Sequence, residues 1–102
     1  MKLTAIVFGA LTAFVSMHAA AGEDNNRTIS SLGSQGTGYV QFTGSLSQPC
    51  LFGVVYLPDL SQPAARGMFA ILLAAQARGA TVSTNYTMDA SGACTATKIA
   101  SP

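Results

Sequence analysis

Cys50 and Cys94 are the residues of this chain best suited to covalent chemistry, and their surroundings say which chemistry. They are an even pair with no CxxC spacing, and the one histidine, His18, lies in the N-terminal segment, so a metal or reactive-thiol site lacks a ligand set. A Cys50–Cys94 disulfide is expected. It would close a loop of about 45 residues, which the chain-entropy account credits with about 4 kcal/mol. Catalysis has less to draw on. Beyond His18 no Ser-His-Asp or Cys-His arrangement can form, and the carboxylates are Glu23, Asp24, Asp59 and Asp89. Glu23 and Asp24 fall in a polar lead-in. Asp59 is read as a helix cap, and Asp89 as a turn residue beside Ser91 and Gly92. We therefore expect no enzyme, no cofactor and no metal. "GSQGTG" lacks the lysine and the following helix of a phosphate loop, and reads as a turn between strands. Binding chemistry remains, carried by Tyr39, Tyr56 and Tyr86, whose rings offer apolar faces with a polar tip, and by nearby Gln41, Thr43, Ser83 and Asn85.

These residues must be positioned by a chain that is expected to leave the cytoplasm. Lys2 precedes an apolar run from Leu3 to Val15, followed by the small residues Ala19, Ala20, Ala21 and Gly22, the order of a secretory signal. The run is shorter than the about 20 residues that cross a bilayer. Cleavage after Ala21 would release a periplasmic or extracellular protein without stable membrane insertion, with residues 22–27 as a flexible lead-in and 28–102 as one domain. From Gly22 onward Arg27, Arg66, Arg78 and Lys98 balance Glu23, Asp24, Asp59 and Asp89. A chain of zero formal charge lacks the cationic footprint of a nucleic-acid binder and the repulsion that keeps small domains apart. Self-association is the natural expectation.

Short β-type segments separated by Gly, Ser and Pro run from Thr28 onward. "RTISSLGS" and "GYVQFTGSL" come first, the latter with Val40 and Phe42 on one face and Tyr39, Gln41 and Thr43 on the other. "CLFGVVYLP" is apolar on both faces and reads as a central strand ended by Pro58. "ATVSTNYTM" sets Val82, Thr84, Tyr86 and Met88 against Thr81, Ser83, Asn85 and Thr87, and "CTATKIAS" is the last strand. The one helix is expected over Pro63–Arg78, with Asp59 or Ser61 accepting from its first amides, Pro63 in its first turn and Gly79 as its stop. Met68, Ile71, Leu72 and Ala75 form the stripe expected to face the sheet. Ala70, Ala74 and Ala77 would then lie outside, where water usually selects charge, and they are the candidate subunit contact.

The order β-β-β-α-β-β is that of the OB-fold, a five-stranded Greek-key barrel. A cysteine before the third strand, a helix ending "LLAAQARG", the strand "ATVSTNY" and a second cysteine at the next turn resemble a group of small exported bacterial proteins. That group is similar in layout to the pentameric receptor-binding B subunits of A-B type toxins, such as those of subtilase cytotoxin and pertussis toxin. The resemblance covers Cys50 to Ile99. It implies an OB-fold, a ring with the helices around its pore, and glycan binding on the outer barrel surface. It matches no sugar-binding motif residue by residue, so the resemblance assigns no sugar contacts. Two functions follow as expectations. One is a secreted binding module that takes a glycan or a protein receptor and assembles with itself. The alternative is a monomeric periplasmic accessory or structural protein.

Overall fold

The computed structural model describes residues 20–102. The expected export signal lies outside them except for Ala20 and Ala21. Five strands and one helix follow in the order β1 (Ala20–Ser34), β2 (Gly38–Phe42), β3 (Val54–Tyr56), α1 (Pro63–Arg78), β4 (Thr81–Met88) and β5 (Cys94–Ala100), with a 3-10 turn at Leu51–Gly53 before β3. The strands close into a barrel in the order β1-β2-β3-β5-β4. Every neighbouring pair is antiparallel except β3 and β5, where Val55 and Tyr56 run parallel to Cys94 and Thr95. This is the OB-type barrel, mostly β with one helix between the third and fourth strands.

Closure depends on β1, which is long enough to serve two neighbours. Residues 20–24, Arg27 and Thr28 pair with β4, and Ile29 with residues 31–34 pair with β2. Within the pairing to β4 the register shifts between Asp24 and Arg27, where Asn26 takes φ 54, a left-handed conformation that Asn tolerates better than most residues. The stretch expected to be a loose lead-in, residues 22–27, is therefore strand, and the expected cleavage point after Ala21 falls inside β1. Its polar composition misleads because β4 needs a partner on its free side whatever that partner's outward residues are.

The core holds Val40, Val55, Leu57, Leu72, Val82, Tyr86, Cys94 and Ala96. The alternation read from β2 and β4 holds, with Gly38, Val40 and Phe42 inside on β2 and Val82, Thr84 and Tyr86 inside on β4. "CLFGVVYLP" is strand only over Val54–Tyr56. The part expected as strand before it turns outward, leaving Leu51 40% and Phe52 75% exposed.

Helix α1 packs against β5, β1 and β4. Pro63 sits in its first turn, and Gly79 at φ 66 ends it. The amides of Gly79 and Ala80 turn back to the carbonyls of Gln76 and Ala75, a Schellman arrangement. Its start differs from expectation. Gln62 is the N-cap and makes no side-chain cap bond, while the Asp59 carboxylate accepts from the Ser61 amide at 3.0 Å and so shapes the turn before the helix. Arg66 reaches back to the carbonyls of Leu60 and Ser61. The buried stripe is Ala65, Leu72 and Ala75, with Met68 and Phe69 partly buried against the core; Ile71 is 36% exposed and does not face the sheet as expected.

Cys50 and Cys94 are joined in a disulfide across 44 residues, their Cα atoms 5.5 Å apart, and no other cysteine is present. The bond fastens the segment leading into β3 to the start of β5. Replacing both with alanine should lower unfolding free energy by about 4 kcal/mol in chemical denaturation, since the unfolded chain regains the closed loop. Intact mass should show no alkylation of native protein without reductant; two readily alkylated thiols would contradict the bond.

Candidate ligand-binding groove

The residues singled out for binding separate into three places. Tyr39 and Tyr56 come together, directly opposite each other across β2 and β3. In the neighbouring parallel pair Tyr56 stands beside Thr95, and on the other side Tyr39 stands beside Gly33. A row thus crosses four strands on the outer face: Gly33, Tyr39, Tyr56 and Thr95. Tyr39, Tyr56 and Thr95 of this row line an open groove of about 510 Å³ together with Gln35, Thr37, Val54 and Leu57. That volume lies within the range of small-ligand sites.

Each strand contributes for a local reason. The β1–β2 turn, residues 35–37, is made tight by Gly36 at φ 77 and delivers Gln35 and Thr37 to the rim. Gly33 leaves room for Tyr39: a Cβ at Gly33 would fall 2.5 Å from the Tyr39 hydroxyl oxygen as the ring now lies, across β1 where no side chain stands. This is an aromatic side chain covering a cross-strand glycine. Gln41 also faces outward, two residues along β2, and its Nε2 donates to the Phe52 carbonyl at 3.5 Å. No Lys, Arg, Asp or Glu lines the groove. It presents two phenols, two threonine hydroxyls and an amide between apolar surfaces.

Ser83 and Asn85 lie elsewhere, on the outer face of β4. Ser83 Oγ accepts from the Asn26 amide at 3.2 Å, and Asn85 stands between Glu23 of β1 and Lys98 of β5. Tyr86 is not available to a ligand at all. It is 1% exposed and lies over Gly22, where a Cβ would come within 2.5 Å of its ring. Its period-two position already places it with Val82 and Thr84, opposite Ser83 and Asn85.

The Tyr86 hydroxyl leads instead to a buried network. It donates to Asp24 Oδ2 at 2.6 Å. Asp24 also accepts from the Arg27 guanidinium at 2.7 Å, from the Ser47 amide at 3.1 and 3.2 Å, and from the Ser47 hydroxyl at 3.1 Å. The Gln48 amide donates to the Tyr86 oxygen. One carboxylate, 3% exposed, thereby joins β1, the β2–β3 loop and β4. Burial pushes its pKa up, but donation from Tyr86, Ser47 and Arg27 together outweighs this and holds it below the usual carboxylate value. Burial, and then the bond to Asp24, raise that of Tyr86. Asp89 accepts from the Ser91 hydroxyl and from the amides of Ser91 and Ala93, which lowers its pKa and makes it the turn residue expected.

Among the described residues no three of His, Cys, Asp and Glu come together as a metal site, and no helix is long and apolar enough to cross a membrane. No protein family, characterised protein or solved structure matches the chain.

The network predicts a pH response. Asp24 and Asp89 have lowered folded-state pKa values, so their contribution is present above about pH 4 and is lost as pH falls through those values. Tyr86 acts in the opposite sense, its contribution being lost above about pH 10. Thermal melts should show Tm falling below pH 4 and above pH 10. Asp24→Asn should cost about 2–4 kcal/mol at pH 7 and flatten the acid limb. A wild-type Tm that stays constant down to pH 2 would contradict the assignment.

Proposed function

We propose that the protein is an exported, non-enzymatic carbohydrate-binding module that holds an uncharged part of a glycan in the Tyr39–Tyr56 groove. The observation that carries this reading is the row of Tyr39, Tyr56 and Thr95 on the outside of β2, β3 and β5. In OB barrels the face of the second and third strands, with the first loop, is where oligosaccharides and oligonucleotides bind. Charge separates these two ligands. Phosphates need cations, the groove has none, and residues 22–102 carry zero formal charge. A sugar ring has an apolar face and a rim of hydroxyls, which suits tyrosine rings flanked by Thr37, Thr95 and Gln35.

The carboxylates support a role without turnover. Asp24 is saturated with donors inside the barrel, and Asp59 and Asp89 are engaged in turns. The disulfide suits an oxidising compartment, periplasmic or extracellular. Binding is expected to show on an array of neutral and sialylated oligosaccharides, and Tyr56→Ala should weaken it about tenfold or more without lowering Tm by more than a few degrees. Undiminished binding by Tyr56→Ala would place the site elsewhere.

Self-assembly belongs to the same proposal, as the resemblance to toxin B subunits implies. Ala70, Ala74 and Ala77 are exposed, and Ile71 and Leu73 join them at 36% and 48% exposure, giving an outer helix face without a charge between Arg66 and Arg78. A homo-oligomer that covers this face is expected by light scattering, with Ala74→Glu reducing the mass toward that of the monomer. A monomer at high micromolar concentration, with melting unchanged by Ala74→Glu, would favour the accessory-protein alternative.

A further inference from the structure

Phe52 combines two features that each oppose folding. It is 75% exposed, the most exposed large apolar residue among the described residues, and its backbone sits at φ 59, ψ 11. A left-handed conformation in a bulky non-glycine residue is strained, and such strain persists only where the surroundings hold it. Here they do. Cys50 is tied to Cys94, the Leu51 amide donates to the Gly92 carbonyl at 2.8 Å, and the Gly53 and Val54 amides close the turn on the carbonyls of Cys50 and Leu51. Gln41 donates to the Phe52 carbonyl from the side. Glycine would fit this backbone without strain and without exposing a ring. The packing of the barrel therefore gives no reason for phenylalanine.

The position supplies one. Val54 of the groove is two residues after Phe52, and Gln41, which holds Phe52, is two residues after Tyr39 on the same outward face. Along β2 the step from Tyr39 to Gln41 is about 7 Å at about 3.3 Å per residue, and the Phe52 backbone is met at that further step. The groove thus has Gln35 and Thr37 at one end and Phe52 past the other.

We propose that Phe52 is a second aromatic platform of the same site, so that the ligand is an oligosaccharide of at least two units, one against Tyr39 and Tyr56 and the next stacked on Phe52. This rests on the carbohydrate reading. The ring stays exposed and the turn stays strained in the free protein because the stacking partner arrives with the ligand. Rigid presentation keeps the ordering cost of binding low.

The test is Phe52→Gly, which keeps the backbone and removes only the ring, with Phe52→Trp as its counterpart. Wild type is screened on an array of neutral and sialylated oligosaccharides of one to six units. The monosaccharide, disaccharide and trisaccharide of the strongest binder are then titrated calorimetrically into wild type and variants. Wild type should gain affinity with length. Phe52→Gly should bind the monosaccharide within twofold of wild type, bind the trisaccharide about tenfold more weakly, and melt at or above the wild-type temperature. Phe52→Trp should restore the length dependence. An intact length dependence in Phe52→Gly, alongside binding lost in Tyr56→Ala, overturns the platform and leaves the groove standing. Loss of several degrees of Tm in Phe52→Gly would make the residue structural and also overturns it, as would Phe52-dependent binding to phosphatidylcholine vesicles. A wild type that binds no glycan on the array overturns the carbohydrate reading itself.

Discussion

The whole arrangement depends on β1 reaching two neighbours at once, and the contact that holds it there is the Asp24 carboxylate under the Tyr86 hydroxyl. A five-stranded sheet left open between β1 and β4 would present two unpaired edges, with no net charge over residues 22–102 to deter pairing with other molecules. Closing it requires the first half of β1 to lie along β4, although "GEDNNRT" has little apolar surface with which to hold on. The hold is polar instead. Arg27 and Tyr86 donate to the carboxylate along with the amide and hydroxyl of Ser47, and the Tyr86 hydroxyl and the Ser47 amide would lose this acceptor if β1 detached. Gly22 is part of the same device, since only a residue without a side chain lets the Tyr86 ring lie across the strand.

Closure decides where function can be. The interior of so small a barrel is filled by Val40, Val55, Leu57, Val82, Tyr86 and Leu72, so the proposed binding groove lies on the outside. The disulfide and the short parallel pairing of β3 with β5 then set the register there. Because Cys94 stands beside Val55, Thr95 stands beside Tyr56, and the row from Gly33 to Thr95 is complete. The covalent bond thus does more than stabilise the chain. It aligns one wall of the groove with the other and anchors the turn that carries Phe52.

Much of this was legible in the residues. Period-two alternation placed Tyr39 and Gln41 outside and Val40 and Phe42 inside. The helix bounds followed from Pro63 and Gly79, and the cysteine pair implied its bond. What the residues hid was non-local. Asp24 looks like a solvated residue because its donors, Ser47 and Tyr86, are 23 and 62 residues away. Tyr86 looks like a binding residue by type, though its own alternation argues for the core. Ser83 and Asn85 share a strand with it but neither its face nor the groove. Phe52 reads as strand because "CLFGVVYLP" is continuously apolar; nothing local marks the left-handed turn except Gly53 after it. Thr95, Gln35 and Thr37 reach the groove through pairing between strands, which a single sequence does not display.

The central claim is that the outer face of β2, β3 and β5 is where this protein meets its ligand. Backbone amide shifts of the labelled, oxidised protein, followed while soluble neutral and sialylated oligosaccharides are titrated in, test it most directly. The account predicts concentration-dependent shifts at Thr37, Tyr39, Tyr56 and Thr95, with the amides of Ser83 and Asn85 unmoved. Shifts that cluster on β4 around Ser83 and Asn85, or no shifts at millimolar sugar, would contradict it.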